Sequence, residues 1–358
     1  MNIPGLARAR YSVRRLARKF QRQAIVLLYH RVGESLIDPQ LLGVSKECFE
    51  QHMDHLARRY SVISVRELAQ ALADGVDIPH HSVAVTFDDG YADNLANAKP
   101  ILDKYRVPAT VFVTSGYLGQ DREFWWDELE RVLLHASTLP GTLRLHINGK
   151  VFERNLGGAA RYSAGDYAQY RTWNVVNRED PTVRHAIYRD LCRILRPLVE
   201  RERNMVMSEL RSWSGVQATA REARRCLTQD EVKQLVIGDL IEVGGHTVTH
   251  SVLSGLSSSE QIVEIGTCKA HMEGILGRPV TTFAYPYGTK SDYTDETAER
   301  VREAGFAAAC ANIPDVVTKK VDRYQMPRFI VRDWGRDTFA QALKFWFSGT
   351  TRWAPDAI

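Results

Sequence analysis

Paired cysteines are missing from this sequence. Its five cysteines, Cys48, Cys192, Cys226, Cys268 and Cys310, are odd in number, scattered, and nowhere spaced as CxxC. That usage excludes a zinc-finger or redox motif and suits a reducing compartment. Long apolar runs are missing too: nothing approaches the roughly 18 residues of a transmembrane helix, and the N-terminus lacks the apolar core and cleavage site of a secretory signal. Cytoplasmic residence is the expectation. Nor is there a strong excess of one charge, because 47 Lys plus Arg stand against 43 Asp plus Glu in 358 residues. A net charge of +4 gives no argument for a nucleic-acid partner. With 44% hydrophobic and 25% charged residues, the disordered and fibrous classes drop out.

What is present is a rhythm. "AIVLLYH" (24–30) is an apolar run ending at a polar pair, the pattern of a strand buried on both faces. A helical pattern follows over 45–60, then strand "SVIS" and helix "SVRELAQALADG", with Ser64 and Glu67 as a capping box and Gly75 as its stop. Strand "SVAVTFDD", a helix over 91–106 and strand "ATVFVTSGY" come next. The alternation resumes with helix "LTQDEVKQLVIGD", capped by Thr228 and Glu231, strand "LIEVGGH", a helix over 257–277, strand "TTFAYPYG", a helix over 294–305 and strand "FAAAC". About seven or eight parallel strands result, in an α/β fold with an open or barrel-closed sheet.

Between 121 and 225 the rhythm breaks. This stretch reads as a largely helical insertion, with a hairpin at 142–156 turning on Asn148-Gly149, and not as an independent domain. Ahead of the barrel (24–335), residues 1–23 form a basic amphipathic arm without acids, suited to an anionic membrane surface. Residues 336–358 read as a C-terminal helix and tail.

Four polar signatures end predicted strands: "YH" (29–30), "DD" (88–89), "HTVTH" (246–250) and "YPYG" (285–288). In parallel α/β folds the chemistry sits at those ends. Asp88 and Asp89 repel each other unless a cation offsets them. His246 and His250 lie four apart, so a helical turn after Gly245 would place both imidazoles on one face. With Asp89 they make a two-histidine, one-carboxylate set that leaves positions open for water and substrate. Asp88 then stays free to take a proton, the division of labour of metal-assisted hydrolysis.

"TFDDGY", "HTVTH" and "FAYPYG", in this order and at strand ends, resemble the polysaccharide deacetylase family, carbohydrate esterase family 4 with its NodB homology domain. The resemblance covers roughly 24–120 and 226–335. It implies a distorted (β/α)7-type barrel and hydrolysis of an N-acyl group, foremost N-acetyl, on an amino sugar or glycan intermediate in surface polysaccharide or glycoconjugate biosynthesis. By motif, Asp88 is the general base, and Asp89, His246 and His250 hold a divalent metal, zinc foremost, with nickel, cobalt or iron as alternatives.

Two departures stand out. Ala284 occupies the place where many members have an Arg that orients the catalytic Asp, and Arg328 in "MPRF" is the proposed substitute. The usual C-terminal Leu-x-His acid is absent, and His30 resembles the N-terminal Tyr-His of a permuted branch that includes poly-N-acetylglucosamine deacetylases. The implied mechanism adds the Tyr287 N–H as oxyanion donor, aimed by Pro286. Tyr91, Trp125, Trp126, Asp127, Tyr285 and Pro286 itself make up the expected sugar-binding set. Two other readings stand beside this one: a deformylase or deacetylase of a lipid- or nucleotide-linked sugar, and a catalytically inactive glycan-binding or scaffold protein. The oligomeric state is left open.

Overall fold

The structure is a computed structural model that describes residues 22–34, 37–217 and 219–349. Most of the basic arm and the last nine residues of the tail lie outside the described residues. Seven strands, β1 to β7 in chain order, build the barrel: Gln23–Tyr29, Ser82–Phe87, Ala109–Val113, Ile241–Gly245, Thr282–Ala284, Ala308–Cys310 and Phe329–Ile330. They pair in parallel in the order β6-β5-β4-β3-β2-β1-β7. The remaining gap is spanned by a parallel bridge between Cys310 and Met326, with Ala311 N–H donating to the Met326 carbonyl at 2.8 Å. The sheet therefore curls into a distorted (β/α) barrel.

Strand alternation sorts the side chains. Ile25, Leu27, Tyr29, Val83, Val85 and Phe87 join a cluster with Phe49, Met53 and Leu56 of the helix Lys46–Arg59. This is the outward face, covered by helices. Ala24, Val26, Ala84, Ala284, Ala308 and Cys310 belong to a second cluster of mostly small side chains, the inward face of a narrow barrel. Along β2 that inward register runs Ala84, Thr86, Asp88. The first catalytic candidate thus inherits its direction from the pleat.

The expected capping boxes form at Ser64/Glu67 and Thr228/Glu231, and Gly75 closes its helix at φ 63°. β3 ends at Val113, earlier than expected, because the N–H groups of Thr114, Ser115 and Gly116 turn to the carbonyls of Asp89, Thr247 and Val248. Gly116 is required there, since a Cβ would stand 2.5 Å from the Val248 oxygen. β5 ends at Ala284, not at Gly288: Pro286 has no N–H for the ladder, and Tyr287 is left-handed at φ 59°.

The insertion carries helices Trp125–Glu130, Ala164–Tyr170, Val183–Leu195 and Glu200–Ser214 and a hairpin of Thr142–Ile147 with Lys150–Asn155. Asn148 and Gly149 turn it at φ 50° and 72°. Its apolar cluster takes in Ile37, Tyr91 and Tyr117 from outside the insertion, which fastens it to the barrel. No helix among the described residues is long and apolar enough to cross a membrane. The helix Arg336–Phe347 buries Phe339, Ala342, Leu343 and Trp346.

Candidate active site

The two aspartates at the end of β2 have different partners. Asp88, 4% exposed, receives both arms of Arg328: Nη1 to Oδ1 and Nη2 to Oδ2, each at 2.7 Å. Arg328 is fully buried, and it also donates to Thr86 Oγ1 at 3.2 Å and to the Ala311 carbonyl at 3.1 Å. Burial alone would raise the Asp88 carboxyl; the Arg328 guanidinium outweighs it and holds the group below the usual range. Asp88 is therefore ionised and fixed. Each oxygen spends one lone pair on Arg328 and keeps another.

Asp89 leaves the strand in a left-handed conformation, φ 77°, made possible beside Gly90 at φ 82°, where a Cβ would press on Val113 at 3.1 Å. Its Oδ1 faces His246 Nε2 at 3.5 Å and His250 Nε2 at 3.2 Å, without hydrogen-bond alignment. Burial works against the Asp89 charge, and the two imidazoles more than offset it. His246 Nδ1 bonds the Ala284 carbonyl at 2.8 Å, so that nitrogen carries the proton and Nε2 presents a lone pair to the carboxylate. Two electron-rich atoms facing each other in a buried site fit a cation between them. One donor atom each from Asp89, His246 and His250 lie within 4.8 Å of one another.

The turn that carries the histidines is not helical, contrary to the sequence expectation. Thr247 at φ 63° and His250 at φ 56° bring the imidazoles together through left-handed backbone. Glu264 staples this loop by accepting from Val248 N, Thr249 N and Thr249 Oγ1 at 2.9, 2.9 and 2.7 Å. Buried Arg203 adds a bond to the Thr249 carbonyl at 3.0 Å.

Asp88, Asp89, His246, His250, His30 and Tyr287 line one cavity of 290 Å³ together with Trp125 and Trp126. His30, at the end of β1, is shifted down by burial, while Asp89 and Asp88 push the other way. The Tyr287 ring lies 4.6 Å from that of His250, and Trp126 lies 4.9 Å from His250 on another side.

Four expected substrate contacts are not on the cavity wall. Tyr91 and Asp127 stand behind Trp126: Trp126 Nε1 donates to Tyr91 Oη at 3.0 Å, and Tyr91 donates to Asp127 Oδ2 at 2.6 Å. Burial pushes Asp127 up to about 8. They position the indole. Tyr285 shares the outward register of Phe283, stacks on Tyr293 at 4.0 Å and donates to the Tyr324 carbonyl at 2.8 Å. Pro286 is buried beside it and acts only through the backbone that leads to Tyr287. Conversely, Gln40, Arg196, Asn312 and Arg332 line the cavity without having been singled out. Arg332 had a signal, because Arg328, Ile330 and Arg332 share one alternation. The others stand alone on loops or at a helix end.

These residues stand at the strand ends of a curled parallel barrel, and comparison with known proteins gives the same fold. Residues 75–135 and 206–309 match the family model described as polysaccharide deacetylase. It is 28% identical over 127 residues to the Bacillus subtilis (strain 168) protein named "Putative polysaccharide deacetylase YxkH", covering 35% of this chain and 44% of that one. It is 29% identical over 114 residues to a poly-beta-1,6-N-acetyl-D-glucosamine N-deacetylase of Staphylococcus aureus (strain MSSA476), covering 28% of this chain and 39% of the relative. The chain thus spans less than half the length of these relatives. Among solved structures, IcaB from Ammonifex degensii superposes with a TM-score of 0.54 at 19% identity, covering 91% of this chain and 97% of that one. That likeness concerns the fold.

Proposed function

We propose that this protein is a metal-dependent carbohydrate N-deacetylase that removes an N-acetyl group from an amino sugar during surface polysaccharide or glycoconjugate synthesis. The observation that carries the reading is the split of one buried carboxylate pair. Asp88 is held ionised by Arg328, and Asp89 is turned toward two imidazoles in the same cavity. A glycan-binding or scaffold protein has no use for that split.

Asp89, His246 and His250 would hold a divalent cation, zinc foremost; when bound, such an ion supplies Lewis acidity and makes water more acidic. Asp88 takes the proton of the attacking water through the lone pairs that Arg328 leaves free. The backbone N–H of Tyr287, which has no partner among the described residues, donates to the oxygen that becomes negative as water adds to the acyl carbon. His30, protonated, gives its proton to the leaving nitrogen, the role of the N-terminal Tyr-His branch. The products are acetate and the free amine. Trp125 and Trp126 offer faces to the sugar ring.

The relatives' names, polysaccharide deacetylase and poly-beta-1,6-N-acetyl-D-glucosamine N-deacetylase, support the same reaction class. The test is mass-spectrometric detection of acyl loss from a panel of N-acylated sugars, with elemental analysis of the same protein. About one divalent cation per chain and acetate release are expected, with both lost in His246→Ala/His250→Ala. Full metal occupancy without acyl loss from any sugar would refute the reading.

A further inference from the structure

The charges of the cavity do not balance for a neutral sugar. Asp88 is neutralised by Arg328, and Asp89 faces the imidazoles and the cation they fit. The other formally charged residues on the wall are both arginines, Arg196 and Arg332. Arg196 shares its charge with Asp292, Nη2 to Oδ1 at 2.6 Å, and lies 4.5 Å over the Tyr287 ring. Arg332 has no carboxylate within ion-pair distance among the described residues. Its Nη1 donates to the Leu41 carbonyl. The nearby Asp38 is engaged with the N–H groups of Leu42 and Gly43 at 3.1 and 2.7 Å. Asp333, next in sequence, accepts from Ser45 N and Oγ at 2.9 and 2.7 Å.

A half-buried guanidinium without a carboxylate loses hydration that one carbonyl does not fully return. Burial accordingly works against its charge. Its mount is nevertheless fixed, because Val331 N–H donates to the Leu28 carbonyl at 3.0 Å. Leu28 stands opposite Ile330 in the parallel pairing of β1 and β7, so two residues further on Arg332 falls level with His30, and both line the cavity. A planar fork with free N–H groups matches the two oxygens of a phosphate or carboxylate.

We propose that the cavity takes an amino sugar bearing an oxyanion, a phosphate ester or a carboxylate, which Arg332 binds on the His30 side while Arg196 adds positive potential from the Tyr287 wall. This rests on the deacetylase reading above. It departs from the neutral polymer named for the Staphylococcus aureus relative.

The experiment compares kcat/KM of the metal-loaded full chain on N-acetylglucosamine, its 1-phosphate, its 6-phosphate and N-acetylmuramic acid; the phosphate and carboxylate arms separate the two sources of charge. At low salt at least one anionic sugar exceeds the neutral one by tenfold or more, chiefly through KM, and the ratio shrinks as sodium chloride is added. Arg332→Gln brings the ratio to within threefold of one, and Arg332→Lys keeps part of it. Rates within threefold on all four sugars would overturn the proposal and leave deacetylation standing, as would a preference that survives Arg332→Gln. No acetate from any sugar would overturn both. Should Arg332→Gln fail to fold, inorganic phosphate decides on the wild type: it competes with the anionic sugar and spares the neutral one, and equal inhibition of both refutes the anion subsite.

Discussion

Replacing Arg328 by Met tests the electrostatic foundation of the site. The guanidinium is fully buried and makes four hydrogen bonds, two of them charged contacts of 2.7 Å with Asp88. Removing one partner of a buried ion pair strands the other, at a cost of about 3–5 kcal/mol. That is roughly a 10²- to 10⁴-fold change in the unfolding equilibrium. Urea unfolding of the metal-free protein at pH 8 measures it. A double-mutant cycle with Asp88→Leu should show coupling of about 2–3 kcal/mol, because the second substitution removes the stranded charge.

The pH dependence has a definite sign. In the wild type the folded-state Asp88 titrates below its unfolded value. Its contribution is therefore complete above an unfolded pKa of about 3.9 and is lost as pH falls through the folded value. In Arg328→Met burial is opposed only by His246 and His30 and Asp88 moves up, so the folded variant takes up a proton first and gains stability as pH falls. The gap between the two proteins should be widest at high pH and narrow toward acid. A loss under about 1 kcal/mol, or effects additive to within about 0.5 kcal/mol, would refute the pairing.

Further outcomes follow from the same geometry. Asp88→Asn should keep its metal by elemental analysis and lose about 10²- to 10⁴-fold in turnover, and activity within a few-fold of wild type would remove Asp88 as the base. His30→Ala should bind metal normally, lose roughly two or more orders of magnitude on an amide substrate, and lose far less on an ester, whose leaving group needs less help. Parallel losses on both would place the acid elsewhere. Deleting residues 1–23 should release the protein from anionic vesicles in a sedimentation assay while leaving hydrolysis of a soluble substrate unchanged; equal vesicle binding would return the arm to an ordinary solvated segment.

The strands and their polar ends were legible because a buried parallel strand is written as a continuous apolar run, and the end of such a run is where a polar pair stands out. Asp88, Asp89, His246 and His250 all carry that contrast. The hairpin at Asn148-Gly149 and the capping boxes were legible because their chemistry is local. The direction of each side chain was less so. Tyr285 sits one residue beyond β5 in a polar motif, yet its parity with Phe283 sends it into the outer core. Tyr91 and Asp127 carry the polarity of sugar contacts but serve Trp126 from behind. The left-handed backbone at Thr247 and His250 had no residue-type signal, since neither is Gly or Asn. Gln40, Arg196 and Asn312 meet only because the segment after β1, the insertion and the β6 loop converge, and separate loops write no periodicity.

Asp89, Thr247, His250 and Tyr287 are all non-glycine residues at positive φ, and all sit around the cavity or its histidine loop. Such a conformation costs an L-residue about 1–2 kcal/mol, so together they hold strain on the order of 4–8 kcal/mol, similar to the net stability of many domains. Selection for heat resistance would find its easiest gains here, by glycine substitution, and would take them from the residues that shape the site. Variants hardened this way should survive higher temperatures and turn over less substrate, whereas stabilisation sought at the outer helices carries no such penalty.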